Sequence, residues 1–277
     1  MNIANKKILI TGANRGIGLA LVTEAHRRGA NRVYAGTRGA LQNGDERVTP
    51  LTLDVTSDSQ IQRAVDEVDT LDILINNAGV AIYDDLSKLD VIEKHLAVNF
   101  HGPLRVTHAF LPLLKRSKGA IVNNLSLAAL APLPVIPAYS LSKAAAFNMT
   151  QSLRAFLAGQ GVTVHAVFLG PVDTDMTRGF EIPKSSAETA ARGIVDGLER
   201  GDDEIFPDPV SQSVAESWRS GAAKALERQF AAFVQPSAAS NHIQYRLAAI
   251  GGGTRVTVHH RARGLILPDH CDGMPEG

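Results

Sequence analysis

Short apolar segments alternate with longer amphipathic ones along most of this chain. Several short segments are apolar at successive rather than alternate positions, which is typical of strands buried on both faces of a parallel sheet. The predicted strands are Ile8–Ile10, Arg32–Ala35, Leu51–Val55, Leu71–Ile75, Ala120–Asn123, Val162–Phe168 and Glu204–Phe206. The longer segments predict helices over about 16–28, 57–67, 88–116, 138–159 and 187–200, and Ser57 is a predicted N-cap. This alternation predicts an α/β fold with a doubly wound parallel sheet of about seven strands.

The pattern weakens toward the C-terminus. Residues 214–233 predict one more helix. Its apolar side would carry Trp218, Leu226 and Phe230. Residues 234–277 include a run of three glycines and have no convincing periodicity, so we expect them to be partly disordered. We therefore interpret 1–233 as a single domain and 234–277 as a C-terminal extension of unknown role.

Composition narrows the function classes. The 277 residues are 44% hydrophobic, enough for a sizeable core, and 28 basic side chains balance 28 acidic ones. This neutrality argues against a nucleic acid or a membrane surface as a partner. A single cysteine, Cys271, excludes an intrachain disulfide, and we find neither a signal peptide nor an apolar run of the ~20 residues a membrane span needs. We therefore expect a cytoplasmic protein.

The first predicted strand ends in a glycine-rich turn that opens a helix. Gly12, Gly16 and Gly18 have the spacing Gly-x3-Gly-x-Gly, with Asn14, Arg15 and Ile17 between them. Glycines allow the backbone to approach a pyrophosphate, whose charge is stabilised by the helix N-terminus. Such a turn could also be a tight connection only, but its place after the first strand of an α/β pattern favours a dinucleotide site.

The spacing Thr-Gly-x3-Gly-x-Gly resembles the short-chain dehydrogenase/reductase family, in its compact oxidoreductase branch. The resemblance covers about residues 5–233 and implies a Rossmann-type fold, a nicotinamide cofactor and oxidoreductase activity. The segment Glu204–Pro209, followed by a helix, is similar to a bacterial subgroup related to the C-factor signalling proteins.

The end of the second strand indicates which nicotinamide cofactor is used. A carboxylate there would bind a ribose 2′-hydroxyl, but none occurs between Val33 and Asp45. Arg38 lies there instead and could pair with a 2′-phosphate, with Arg15 as a second cation. Each arginine could also be a solvated surface charge. Their positions together predict NADP(H).

The resemblance implies that other strand ends complete the cofactor site. Asp54 would accept a hydrogen bond from the adenine, and the backbone of Val172 would reach the carboxamide. Leu169 stands where the family has a proline, and we expect this to change only the stiffness of the loop. The predicted cofactor-binding residues are Gly12, Asn14, Arg15, Gly16, Ile17, Gly18, Arg38, Asp54, Val55, Asn77, Ala78, Gly79, Tyr139, Lys143, Gly170, Val172 and Thr174.

The catalytic residues implied by the resemblance are Asn99, Ser126, Tyr139 and Lys143. Tyr139 and Lys143 are four residues apart and so share a helix face. The Tyr139 phenol would be the general acid or base, and the Lys143 ammonium would lower its pKa. Ser126 would donate to the same substrate oxygen, and Asn99 would hold a water that connects Lys143 to solvent. Taken singly, each of these residues could have a structural role.

The substrate pocket is predicted from two loops. It would contain Leu133, Val135, Ile136, Met176, Phe180 and Ile182. With Arg178 as the only cation nearby, which could be solvated, an apolar aldehyde, ketone or alcohol is the expected substrate. The resemblance also implies a homodimer or homotetramer, paired through the helices that contain Asn99 and Tyr139.

Alternative functions stay open at this point. One is an alcohol dehydrogenase working in the oxidative direction, and others are a catalytically idle NADP(H)-binding signalling protein or an interaction protein whose tail docks a partner. We expect no metal site, since the spacing of tail residues matches no zinc pattern. Those residues are His242, His259, His260, His270 and Cys271.

Overall fold

A parallel sheet of seven strands forms the centre of the protein. The computed structural model describes residues 1–39, 45–234, 243–250 and 253–260, the last two ranges as backbone only. The strands are β1 (Lys7–Thr11), β2 (Arg32–Thr37), β3 (Val48–Thr52), β4 (Ile73–Asn76), β5 (Ala120–Asn124), β6 (Thr163–Val167) and β7 (Glu204–Ile205). Their order across the sheet is β3-β2-β1-β4-β5-β6-β7. This confirms the predicted doubly wound α/β fold.

Eight α-helices connect and follow these strands in the described part of the chain. They are α1 (Gly16–Arg27), α2 (Asp58–Glu67), α3 (Leu89–Leu96), α4 (Gly102–Ser117), α5 (Pro137–Leu157), α6 (Ala187–Arg200), α7 (Pro209–Arg219) and α8 (Ala222–Ala231). The Ser57 hydroxyl caps α2 by accepting a hydrogen bond from the Gln60 N–H at 3.4 Å, as predicted. The long helix predicted over 88–116 is α3 and α4 joined by a π-helical turn, Ala97–His101.

Successive side chains of the central strands are buried on opposite faces of the sheet. In β1, Ile8 and Ile10 pack into the core beneath α1 and α6, whereas Leu9 packs into the core beneath α2 and α4. The sheet is therefore covered on both sides, which explains the runs of apolar residues in the sequence.

Two predicted elements have different bounds in the structure. The strand predicted over Leu51–Val55 extends over Val48–Thr52 instead. It contains Pro50, which has no N–H to donate, and this is tolerated because β3 is the edge strand of the sheet. The single helix predicted over 214–233 is broken between α7 and α8, where Gly221 caps the second helix. Consequently Leu226 and Phe230 are exposed, and the side of α8 that packs inward carries Lys224.

Part of the C-terminal extension has regular structure that the sequence analysis did not predict. β8 (Ile243–Ile250) and β9 (Gly253–His260) pair as an antiparallel hairpin. Residues 235–242, 251–252 and 261–277, the last range with Cys271, lie outside the described residues. Among the helices of the described residues, none combines the length and the apolar character that a membrane span requires.

Candidate active site

A cleft of about 800 Å³ lies at the carboxyl ends of the strands, where the strand order reverses between β1 and β4. Parallel α/β sheets bind ligands at such a reversal because the loops on either side diverge. All the residues predicted to bind the cofactor line this cleft, although they come from segments as distant as Gly12 and Thr174. Ser126 lines it as well.

The glycine-rich turn leaves no room for side chains at its key positions. Gly12 and Gly16 have φ angles of 67° and 52°, which other residues seldom adopt. A Cβ on Gly18 would lie 2.0 Å from the Gly12 carbonyl oxygen. The Thr11 hydroxyl accepts hydrogen bonds from the Asn77 and Ala78 N–H groups, both at 3.0 Å, and so joins the turn to the loop after β4.

The N-terminus of α1 faces the cleft without a side-chain cap. Arg15 occupies the N-cap position and makes no capping hydrogen bond. The first N–H groups of the helix are therefore available to an anion such as a pyrophosphate. The turn and the helix start together fit the diphosphate of a dinucleotide.

The end of β2 carries a cation and no carboxylate. Arg38 is exposed, follows the last residue of β2, and lines the cleft beside Asp54. Burial raises the pKa of Asp54, but hydrogen bonds from Thr56 and the nearby Arg38 charge outweigh it and leave that pKa below its ordinary value. This end of the cleft offers a guanidinium to a 2′-phosphate, whereas the end of β2 has no carboxylate that would accept a hydrogen bond from a ribose 2′-hydroxyl.

The second predicted cation, Arg15, already has an anionic partner. Its Nη1 lies 2.8 Å from Oδ2 of Asp175, in the loop after β6, and both side chains are well exposed. Arg178 pairs with the other oxygen of Asp175, so it is not merely solvated. Asp175 was not among the predicted residues, because nothing in the sequence places it beside a turn more than a hundred residues earlier.

Tyr139 and Lys143 lie on one face of α5 at the inner end of the cleft. The Lys143 Nζ lies 5.7 Å from the centroid of the Tyr139 ring and donates a hydrogen bond to the Asn124 carbonyl oxygen at 2.8 Å. Both side chains are buried, with exposed fractions below a tenth. Ser126 follows β5, and its hydroxyl interacts with the Tyr139 phenol.

Burial controls the protonation of this pair. It raises the pKa of Tyr139 to about 12, against a smaller lowering effect of the hydrogen bond with Ser126. It lowers the pKa of Lys143 to about 8. The expected lowering of the Tyr139 pKa is therefore wrong, because loss of water around the phenol dominates and raises that pKa.

Asn99 lies beneath the cleft rather than in its wall, within the π-helical turn. Its Oδ1 accepts from the Val80 N–H, and its Nδ2 donates to the Val80 carbonyl and to the Ser142 hydroxyl, each at 2.9 Å. Asn99 thus anchors the loop that follows Gly79. Its predicted part in a water relay stays a prediction.

His95 is a further buried residue that the sequence analysis did not single out. Its Nε2 accepts from the Ile82 N–H at 3.0 Å, which makes Nδ1 the donor to the Val91 carbonyl at 2.8 Å. The ring packs edge-on against Tyr139 with centroids 6.4 Å apart. His95 therefore connects the loop after β4 with the Tyr139 ring. A single histidine in a helical segment of a sequence does not indicate such contacts.

The other end of the cleft is apolar. Five of the six predicted substrate-pocket residues line it, and the exception is Val135, whose side chain is exposed outside it. Tyr83 was missed; it lines the same region and stacks on Phe180 with ring centroids 5.5 Å apart. The stack connects the loop after β4 with the loop after β6 across the cleft.

No group of three or more His, Cys, Asp or Glu side chains that could hold a metal ion occurs among the residues that the structure describes. The tail residues considered for such a site lie outside the described side chains.

The sequence is similar to those of known dehydrogenases and oxidoreductases. Estradiol 17-beta-dehydrogenase 2 of Rattus norvegicus is 36% identical over 191 residues, which are 63% of this chain and 50% of that protein. The chain thus spans only half the length of this relative. An uncharacterised oxidoreductase of Staphylococcus epidermidis is 32% identical over 211 residues, which are 71% of this chain and 92% of that protein.

A solved structure and a family profile complete the comparison. The crystal structure of a short chain dehydrogenase from Burkholderia cenocepacia in complex with NADP is 35% identical, with a TM-score of 0.76, and the match covers 86% of this chain and all of that one. The short chain dehydrogenase profile matches residues 6–184, more than half of the chain. The chain therefore belongs to the short-chain dehydrogenase family, a family of oxidoreductases.

Proposed function

We propose that this protein reduces an apolar aldehyde or ketone to the alcohol with NADPH. One observation carries the proposal: a single cleft has a cradle for a diphosphate and the exposed Arg38 at one end, and a buried phenol beside an amine at the other. The Burkholderia relative, described as a complex with NADP, supports the choice of cofactor.

The chain's own groups would handle the proton. When bound, the reduced nicotinamide supplies a hydride, and the carbonyl oxygen then needs a proton. Tyr139 is suited to donate it, because a pKa of about 12 keeps the phenol protonated at neutral pH. Ser126 would donate a hydrogen bond to the same oxygen. Lys143, with a pKa of about 8, would still be mostly charged at pH 7 and would favour the phenolate that is left.

The apolar end of the cleft supports the substrate class. Met176, Phe180 and Ile182 come from the loop after β6, and Leu133 and Tyr83 from the opposite side. A ligand there would bury apolar surface at about 25 cal/mol per Å², while a sugar would find few polar partners. Because the rat relative is named for estradiol, steroid ketones belong among the substrates to be tested.

The proposal is tested by absorbance at the reduced-nicotinamide band with NADPH or NADH and a panel of apolar, steroidal and sugar carbonyls. We expect turnover with NADPH that falls at least a hundredfold in Tyr139→Phe. Tyr34→Phe, which changes a buried tyrosine outside the cleft, is the matched control and should keep its activity. Cofactor binding without reduction of any carbonyl would contradict the proposal and favour the signalling alternative.

A further inference from the structure

The segment Glu204–Pro209 has no part in the site described so far. It contains Asp208, whose side chain is completely buried between the sheet and the start of α7. Two backbone N–H groups of α7, those of Val210 and Ser211, donate to its Oδ1 at 3.1 and 3.0 Å. This much is an ordinary helix cap.

The second carboxylate oxygen has a different partner. Oδ2 accepts a hydrogen bond from the Gly170 N–H at 2.9 Å, and the Ser211 hydroxyl is also 2.9 Å from it. Gly170 lies in the loop after β6, 38 residues earlier in the chain. A Cβ at Gly170 would lie 2.5 Å from Oδ1 of Asp208, so only glycine allows this close approach.

Gly170 belongs to a stretch of the chain that lines the cleft from Leu169 to Thr177, with the exception of Asp173. Farther along, the Thr177 hydroxyl donates to the Val172 carbonyl at 2.6 Å, and Ser185 donates to the Pro171 carbonyl at 3.0 Å. Asp208 fixes the beginning of the stretch, close to β6, and these contacts fix its middle. The position of the Val172 backbone thus depends on a carboxylate that does not itself line the cleft.

We infer that Asp208 is a positioning residue: through Gly170 it holds the 170–174 backbone where the nicotinamide half of the cofactor binds. This inference rests on the proposed function. If Asp208 has this role, its substitution should lower the affinity for ligands that reach the nicotinamide end of the cleft and should not change the affinity for ligands that bind only at the adenine end.

The decisive variant is Asp208→Asn in the full-length protein. An amide oxygen can still cap α7, but the NH2 group would then face the Gly170 N–H, and two donors cannot bond to each other. We expect NADPH to bind about tenfold more weakly, measured by its fluorescence. Binding of 2′,5′-ADP, which lacks the nicotinamide, should change less than twofold when measured by calorimetry.

Two further variants separate positioning from general stability. Asp208→Ser keeps a good cap but is too short to reach Gly170, so it should reproduce the selective loss of NADPH. Ser211→Ala weakens the cap without removing the carboxylate, and it should lower the melting temperature and leave the ratio of the two affinities unchanged. A ratio unchanged in both Asp208 variants, or equal loss of both ligands, would overturn the inference. Wild-type protein that binds neither ligand would instead overturn the proposed function, and the inference with it.

Discussion

Tyr139 and Lys143 are both shifted toward their neutral forms, because burial penalises a phenolate and an ammonium alike. The phenol therefore keeps its proton through the neutral range, whereas the amine titrates just above it. Carbonyl reduction needs the phenol protonated and benefits from a cation that stabilises the phenolate formed. Of the two groups, Lys143 is therefore the one whose titration should limit activity.

We expect the rate of reduction to fall as the pH rises through about 8, where Lys143 loses its charge. Tyr139, with a pKa of about 12, stays protonated over that range and does not contribute. The measurement is the initial rate from pH 6 to 10 at subsaturating concentrations of both reactants, which reports groups of the free protein. A rate that stays level up to pH 10 would contradict the role assigned to Lys143.

Arg38 is the residue on which the choice of cofactor depends. Arg38→Asp removes the cation that would pair with a 2′-phosphate and adds an acceptor for a ribose hydroxyl. We expect NADPH to bind at least tenfold more weakly and NADH more tightly, as measured by titration of nucleotide fluorescence.

The matched control is Arg32→Asp, at the start of β2 and therefore at the end of the strand away from the cleft. It makes the same change of charge and should leave the preference between the nucleotides as it was. An unchanged NADPH affinity in Arg38→Asp would contradict the role of Arg38 in binding the 2′-phosphate.

At the residue scale, sequence reasoning found the groups that follow strands and missed those held by distant contacts. Gly12, Asn77 and Tyr139 stand in recognisable local patterns, and the structure places them in one cleft. Three residues were missed because their partners, Arg15, Tyr139 and Gly170, lie elsewhere in the chain, and no local sequence pattern indicates such contacts. They are Asp175, His95 and Asp208.

The helices and strands were predictable where a hydrophobic period was uninterrupted. The period continues through Ser220 and Gly221, although the helix does not, so α7 and α8 were predicted as one. The break turns Lys224 inward, where its ammonium lies 2.7 Å from Glu204 of β7 and 3.0 Å from Glu227. Arg154 of α5 binds the same two carboxylates. The last helix is thus held by a buried ionic cluster, which hydrophobic periodicity cannot reveal.

Lys224→Ala should therefore destabilise the protein by roughly 3 kcal/mol, because it removes a buried cation that pairs with both Glu204 and Glu227 and leaves these nearly buried carboxylates to share Arg154. Denaturant unfolding followed by circular dichroism measures this.

The exposed pair Arg105–Asp58, at 3.5 Å, provides the comparison, and Arg105→Ala should cost less than about 0.5 kcal/mol. Equal effects of the two substitutions would show that the Lys224 cluster adds nothing to stability.

For the whole molecule, the fold followed from the alternation of strands and helices, whereas the oligomeric state stays a prediction. The family resemblance implies pairing through the helices that contain Asn99 and Tyr139, which are the segment from α3 to α4 and helix α5. On α5, Phe156 is 58% exposed and Leu141 is 45% exposed, so this helix has apolar side chains that a second copy could cover.

We predict that the protein is a dimer or tetramer by light scattering and that Phe156→Asp reduces its mass at micromolar concentration. Phe233→Asp is the control, because Phe233 is 84% exposed but follows α8. Dissociation by the control substitution alone would place the interface elsewhere.

The Arg15–Asp175 pair has a consequence for how a phosphorylated nucleotide would enter the cleft. Since the guanidinium already has a counter-ion, binding a 2′-phosphate there exchanges one anion for another. The net gain is then the difference between two ion pairs, and added salt weakens both of them. Most of the salt dependence of NADPH binding should therefore come from Arg38. The exchange also frees Asp175 from the glycine-rich turn, so arrival of the adenine end would loosen the loop through which Met176 and Phe180 line the apolar end of the cleft.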